Sequence, residues 1–440
     1  VKHHGDGANR FLELLDSYHD INSQTVTELH QEPTPLEFMR FVARNQPFVI
    51  RNNSNPNFRQ ITKTWNAKYL CTKMAESPVR VAITPAGNAD AVVQLPSGGS
   101  IFCKPHEAME PFNSAINHIV SQEQSPETYT GATRYIQSQN DNLRSEYTSL
   151  FSELPSSIPW ATEALEQDPD AVNLWVGNSH STSVLHKDHY ENIFIQIAGA
   201  KEFLLLPPVE APCVNECSVL SATYQPKDTS PKSSLDIRKE DLCIAIDEPE
   251  QYIPLPTWDP DTPSQNTTKY SEFARPIRVT VNAGDILYLP ALWYHKVKQI
   301  AGEEGICCSV NYWYDMDFTG PFQVTNRFVS EVALLPSSSK EEDGKADVVD
   351  DEDEDDEDDE DYEPSESEEE SDSDDDEYEY DSEYESGEEE DGDKQTVTRD
   401  ELKRLRARLA IARTAEGGDA SMDRITQDLL KALQSIDDSA

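Results

Sequence analysis

Apolar positions along this chain change their period about a third of the way in. Before residue 130 they recur mostly at helical spacing. Phe11, Leu14, Leu15 and Tyr18 share one helical face, and Leu36, Met39 and Val42 do so after Pro33-Thr34-Pro35, which suits a helix start. The 65–74 stretch also predicts a helix. Pro47-Phe48-Val49-Ile50 predicts a short buried strand, and the alternation across 79–83 another. Beyond residue 130 strands dominate, at 134–137, 174–176, 192–197, 202–206, 277–281, 285–289 and 306–313. Gly199, Gly284 and Pro207-Pro208 punctuate them, and a Pro-, Ser- and Asp-containing insertion occupies roughly 207–276. Many short strands with tight turns after a helical lead-in predict a mainly β fold, a small barrel or two-sheet sandwich.

Composition divides the chain further. Residues 341–393 hold 35 of the 84 acidic residues and one basic residue, Lys345, so this stretch carries most of the net charge of −48. Residues 337–395 are too polar to bury a core and are expected to be disordered. After them, Thr398 and Glu401 make a capping-box pattern, and Lys403, Arg404, Arg406 and Arg408 oppose Leu402, Leu405 and Leu409. A C-terminal helical pair is therefore expected over 396–440. No run of about 18 apolar residues exists, so no membrane span is predicted. The N-terminal residues lack the apolar stretch of a secretory signal. Cys71, Cys103, Cys243, Cys307 and Cys308 sit in apolar surroundings, as reduced core residues of a cytoplasmic or nuclear protein do. Cys213 and Cys217 have no second pair to complete a zinc site.

The chemistry centres on Ser183-Val184-Leu185-His186-Lys187-Asp188-His189-Tyr190-Glu191-Asn192. In a strand, residues two apart share a face, so His186 and Asp188 present an imidazole and a carboxylate side by side. His189 is out of phase, and His180 has no carboxylate at the right offset. A second histidine from a neighbouring strand would complete two histidines and a carboxylate with open positions, the set that suits non-haem iron(II) oxygenases. His295 is the candidate, because a Gly284-Asp285 turn, an apolar strand and Pro290 lead into it. An H-x-D tripeptide alone is a common surface sequence. Here Ile193, Ile195, Ile197 and the 203–206 run surround it, and buried polar groups need partners.

These residues resemble the JmjC branch of the cupin-type 2-oxoglutarate oxygenases. The resemblance lies in 174–208, with H-x-D, a Gly turn, a lysine and a Leu-Leu-Pro-Pro ending, and in 285–295 and Asn311-Tyr312-Trp313-Tyr314-Asp315. It covers most of 30–325. It implies a double-stranded β-helix (jelly-roll) core, a catalytic JmjC domain over 131–336, and an N-terminal helix/strand region, 1–130, packing on it. It also implies Fe(2+) held by His186, Asp188 and His295, with 2-oxoglutarate and O2 as co-substrates. Lys201 matches the lysine that pairs with the distal carboxylate of 2-oxoglutarate, and Tyr135 the tyrosine that joins it. Ser183 stands where the family usually has Thr, and Asn192 and Asn311 match polar residues near the co-substrate and metal. The implied reaction is hydroxylation of an unactivated C–H, with succinate and CO2 as coproducts.

The wording also resembles the small lysyl hydroxylases of that branch, which implies a protein substrate, with a lysine of a GTP-binding protein as target. A histone-directed demethylase or peptidase is the alternative, and a non-catalytic binding protein on the same fold a further one. Asp315, Asp317 and Glu191 are candidates for attracting a cationic side chain, or else ordinary loop charges. Trp175, Trp293 and Trp313 fit core aromatics better than a cation cage. The acidic segment is expected to bind basic proteins, not nucleic acid directly. The basic helix after it either folds back on that segment or joins two copies as a homodimer.

Overall fold

In this computed structural model residues 7–94, 100–227 and 237–334 are described. The acidic segment expected at 337–395 and the helical pair expected at 396–440 lie outside the described residues. The β-rich part forms two facing sheets. The larger has the order β1-β2-β16-β10-β18-β8, comprising Thr27–Leu29 (β1), Phe48–Ile50 (β2), Ile286–Leu289 (β16), Tyr190–Ala198 (β10), Cys307–Asp315 (β18) and Ala171–Gly177 (β8). The smaller has the order β15-β11-β17-β9, comprising Ile277–Asn282 (β15), Ala200–Leu206 (β11), Tyr294–Ile300 (β17) and Thr182–His186 (β9). From β8 to β11, and again from β15 to β18, the chain alternates between the sheets. That alternation makes a double-stranded β-helix of the jelly-roll kind, as expected.

Side-chain alternation along the strands builds a different layer on each face of the larger sheet. Outward-facing Ile193, Ile195, Val172, Leu174, Val310 and Tyr312 share a cluster with Phe38, Phe58, Ile61 and Trp160 from helices Pro35–Arg44, Pro56–Thr64 and Pro159–Leu165. The first of these helices starts where the sequence predicts: Thr34 and Glu37 close a capping box, with Pro35 in the first turn. Inward-facing Phe194 and Leu287 meet Phe203, Leu205, Val279, Val281 and Val297 of the smaller sheet. Each such side chain contributes roughly 1.5–3 kcal/mol by burial.

Two expectations need correction. The helix expected over 65–74 is interrupted at its start. Trp65 ends the preceding helix with its indole donating to Glu153, and Asn66 caps a new one over Ala67–Met74. The 207–276 insertion carries strands of its own, Glu216–Pro226 (β12), Leu242–Ile246 (β13) and Tyr252–Pro256 (β14). They form a sheet of order β13-β12-β5-β4 with Ala91–Gln94 (β4) and Ser100–Lys104 (β5), and β14 pairs with β12. One partner of β12, β5, thus lies far upstream, and β12 runs parallel to it. Pro78–Thr84 (β3), His106–Pro111 (β6) and Thr133–Tyr135 (β7) form a three-stranded sheet of order β6-β3-β7. The 1–130 region therefore lends β1 and β2 to the larger sheet and β4 and β5 to the insertion's sheet. Among the described residues no helix is long and apolar enough to cross a membrane.

Candidate active site

His186 ends β9, and His295 lies opposite it on β17, where the strand pairing carries a bulge. The two rings stand 4.1 Å apart between centroids. Asp188 lies two residues beyond the end of β9, in the turn before β10 and not in the strand itself. The turn still brings its Oδ2 to 3.6 Å from His295 Nε2 and 3.9 Å from His186 Nε2. One ligand atom from each of the three residues lies within 4.8 Å of the others. Each imidazole Nδ1 sits against a backbone carbonyl two residues upstream, 2.7 Å from Val184 O for His186 and 3.0 Å from Trp293 O for His295. Those contacts make Nδ1 the donor and leave the Nε2 lone pairs turned toward Asp188. Burial, then the neighbouring His186, pushes His295 down to about 4. The His295 ring is thus neutral at neutral pH, the form a metal requires. Two imidazoles and a carboxylate in this arrangement fit a divalent iron, and suit it better than they suit magnesium. Lys187, between the two ligands, points away and bonds Glu216 and Tyr294. His189 stacks on Phe318, and His180 is exposed in a turn.

The turn that delivers His295 is anchored from three directions. Leu292, at φ 68°, donates its backbone N–H to Asp188 O at 2.8 Å. Asn45, the left-handed cap of the Pro35–Arg44 helix, donates to Ala291 O and accepts from the Trp293 indole. Glu191 accepts from Tyr288 and from the Ala291 backbone. A non-glycine residue at positive φ costs about 1–3 kcal/mol and persists only where its surroundings over-determine it. Glu191 is thus a buried anchor, with its carboxyl pushed up to about 7 by burial, and not a surface acid that attracts a cation. Asp315 and Asp317 are exposed, and Asp317 accepts from Thr319. Trp293 is core, as expected.

Deeper between the sheets lies Lys201, 2 % exposed. Its Nζ is 3.3 Å from the Tyr135 hydroxyl and faces the rings of Phe194 at 4.9 Å and Trp175 at 5.6 Å. Among the described residues no carboxylate pairs with it. Burial therefore pulls it down to about 8, against the opposing pull of Cys307 and Cys308. Ser183 bonds the Tyr135 hydroxyl, whose pKa burial raises. Asn311 accepts from the Trp175 indole at 3.0 Å and donates to Asn192 at 3.3 Å, linking those two amides as one chain. Sequence reasoning missed Gln299 and Ser309. Gln299 is the cross-strand neighbour of Lys201, and its buried side-chain amide has no partner among the described residues. The Ser309 hydroxyl has none either. Counting in twos from His295 along β17 would have found Gln299. A buried ammonium without an anion beside the unpartnered Gln299 amide is a cradle that fits a carboxylate ligand.

A cavity of about 1010 Å³ opens in front of His186. Ser183 and Trp175 line its inner end, and Phe102 of β5, Tyr224 of β12 and Leu255 of β14 its outer walls. The insertion therefore shapes the approach to the histidines.

A family model described as a cupin-like domain matches residues 33–320. The chain is similar to the human bifunctional peptidase and (3S)-lysyl hydroxylase JMJD7, with 37% identity over 298 residues, 67% of this chain and 85% of the relative. It is 33% identical to JmjC domain-containing protein E of Dictyostelium discoideum over 360 residues, 76% of this chain and 99% of the relative. It is 32% identical to lysine-specific demethylase JMJ32 of Arabidopsis thaliana over 305 residues, 67% of this chain and 82% of the relative.

Proposed function

As this chain belongs to the cupin-like family of JmjC 2-oxoglutarate-dependent dioxygenases, we propose that it hydroxylates a lysine side chain of a protein. The observation that carries this reading is the convergence of His186, Asp188 and His295, with His186 lining the cavity, and the buried ammonium of Lys201 without an anion among the described residues. His186, Asp188 and His295 would hold Fe(2+). Lys201 and Tyr135 would take the distal carboxylate of 2-oxoglutarate, with Ser183 orienting the tyrosine. Asn192 and Asn311 would stiffen the wall beside it. Iron(II) with 2-oxoglutarate and O2 supplies the oxidising equivalent: one oxygen atom enters the C–H bond, the other enters succinate, and CO2 leaves.

The chain's own residues do the rest. Both Nδ1–H groups are held by backbone carbonyls, so the ligands meet a metal with little reorganisation. Phe194, Trp175 and Tyr135 wall the ammonium from water, which strengthens its attraction for an anion. The cavity is large enough to admit a long side chain, and its mixed lining offers both apolar surface and polar groups to position it.

The family resemblance of the motifs points the same reading toward a GTP-binding protein as bearer of the lysine. The names of two relatives supply the alternatives of peptidase and demethylase. Incubation with iron(II), 2-oxoglutarate and lysine-containing peptides from GTP-binding proteins and histones, followed by mass spectrometry, separates them. Gain of one oxygen on lysine supports the proposal. Loss of a methyl group or backbone cleavage without oxygen gain overturns it. The polyanionic 341–393 segment suits recruitment of a basic partner, by charge alone.

A further inference from the structure

The cavity in front of His186 is lined by few charged side chains, and all but one of the carboxylates and ammonium groups among them are already paired. Lys104 is bridged to Asp247 at 2.9 Å, and Glu107 to Arg80 at 3.0 Å. Asp90 is different. It lines the same cavity, and no cation pairs with it among the described residues. The Gln137 amide donates to its Oδ2 at 3.1 Å. Its backbone is left-handed, at φ 55°, a conformation that Asp tolerates better than most residues do.

We propose that Asp90, steadied by Gln137, is the residue that receives the ammonium of the substrate lysine and so sets the enzyme's preference for a cationic side chain. The proposal rests on the lysyl-hydroxylase reading above and names the group that makes that reading selective. A half-buried carboxylate without a counter-ion is costly, and burial raises the Asp90 pKa. An entering ammonium offsets that cost with charge-assisted hydrogen bonds. The walls suit the rest of the side chain. Trp175, Leu185 and Leu255 offer apolar surface to the lysine methylenes, while the second carboxylate of the cavity, Glu107, is held by Arg80. Asp90 and His186 line the same cavity, so an amine anchored at Asp90 would bring the aliphatic part of the side chain toward His186.

The test measures selectivity, because a general loss of folding would not move it. Paired peptides identical except for lysine or norleucine are titrated against the full-length protein, with KM and kcat determined for wild type and for Asp90→Asn. Wild type should favour lysine over norleucine by about tenfold or more in KM. Asp90→Asn should bring that ratio close to one, chiefly by raising the KM for lysine. Gln137→Ala should lower the ratio partway. If wild type hydroxylates lysine and Asp90→Asn keeps the full preference, Asp90 is not the receptor and the hydroxylase reading stands. If wild type itself does not distinguish lysine from norleucine, the proposal fails without any variant. If no lysine is hydroxylated at all, the functional reading fails and this proposal with it.

Discussion

The two faces of strand β10 do different work. Ile193, Ile195 and Ile197 turn outward and close against the N-terminal helices, in a cluster where side chain meets side chain without charge. Asn192, Phe194 and Gln196 turn inward. There the neighbours include an ammonium lacking an anion, a glutamine amide and a serine hydroxyl lacking partners, and an imidazole held neutral by burial. The outer face is satisfied by the protein itself. The inner face is left short of partners, a cost that the apolar burial of the outer face helps to offset.

Four experiments press on that contrast. His186→Ala should reduce succinate formation to background and abolish iron binding measured by titration, while the free energy of unfolding moves by less than about 1 kcal/mol. A comparable loss of stability would mean that the inner face also holds the fold. Ile195→Ala should do the opposite, lowering the unfolding free energy by about 2–5 kcal/mol in denaturant melts and leaving the iron affinity of the folded fraction unchanged.

Lys201→Met bears on both faces at once. The folded pKa of Lys201, about 8, lies below the unfolded value, so the unfolded chain binds more protons between them. The ammonium therefore costs stability below about pH 8, and that cost disappears as pH rises toward 10.5. Below pH 8 the methionine variant should unfold less readily than wild type by up to roughly 3 kcal/mol, and the gap should close by pH 10.5. The same variant should bind 2-oxoglutarate far more weakly in calorimetric titration. A gap independent of pH would remove the buried charge as its cause. The smallest effect is expected for Gln299→Leu. It removes an unpartnered buried amide, so melts should show no loss of stability and a gain of up to about 1 kcal/mol. A loss would show that the amide has a partner after all.

Much of this was legible in the chain. Alternation placed the strands on either side of the H-x-D segment, and the Thr34–Glu37 box marked a helix start, because both signals are local. The pairing of His186 with Asp188 was found by strand spacing although Asp188 has left the strand. The turn happens to keep the same side, and Leu292 holds it there by donating to the Asp188 carbonyl. Lys201 was reachable only through the family, since a lysine next to Gly199 reads equally as an exposed hairpin residue. Glu191 was misread for a related reason. An acid beside H-x-D looks solvated until Tyr288 and Ala291, about a hundred residues away, are seen to enclose it.

The sequence by itself determined the period of each segment, the helix starts, and which residues are candidates for holding a metal. These follow from neighbours a few positions apart. Only the tertiary structure decided that β12 would cross to β5, that Gln299 would sit without a partner beside Lys201, and that Asp90 would be the unpaired carboxylate of the cavity. Whether a polar group is paired depends on what the rest of the chain brings within about 3 Å of it, and that distance is set by packing between strands far apart in sequence.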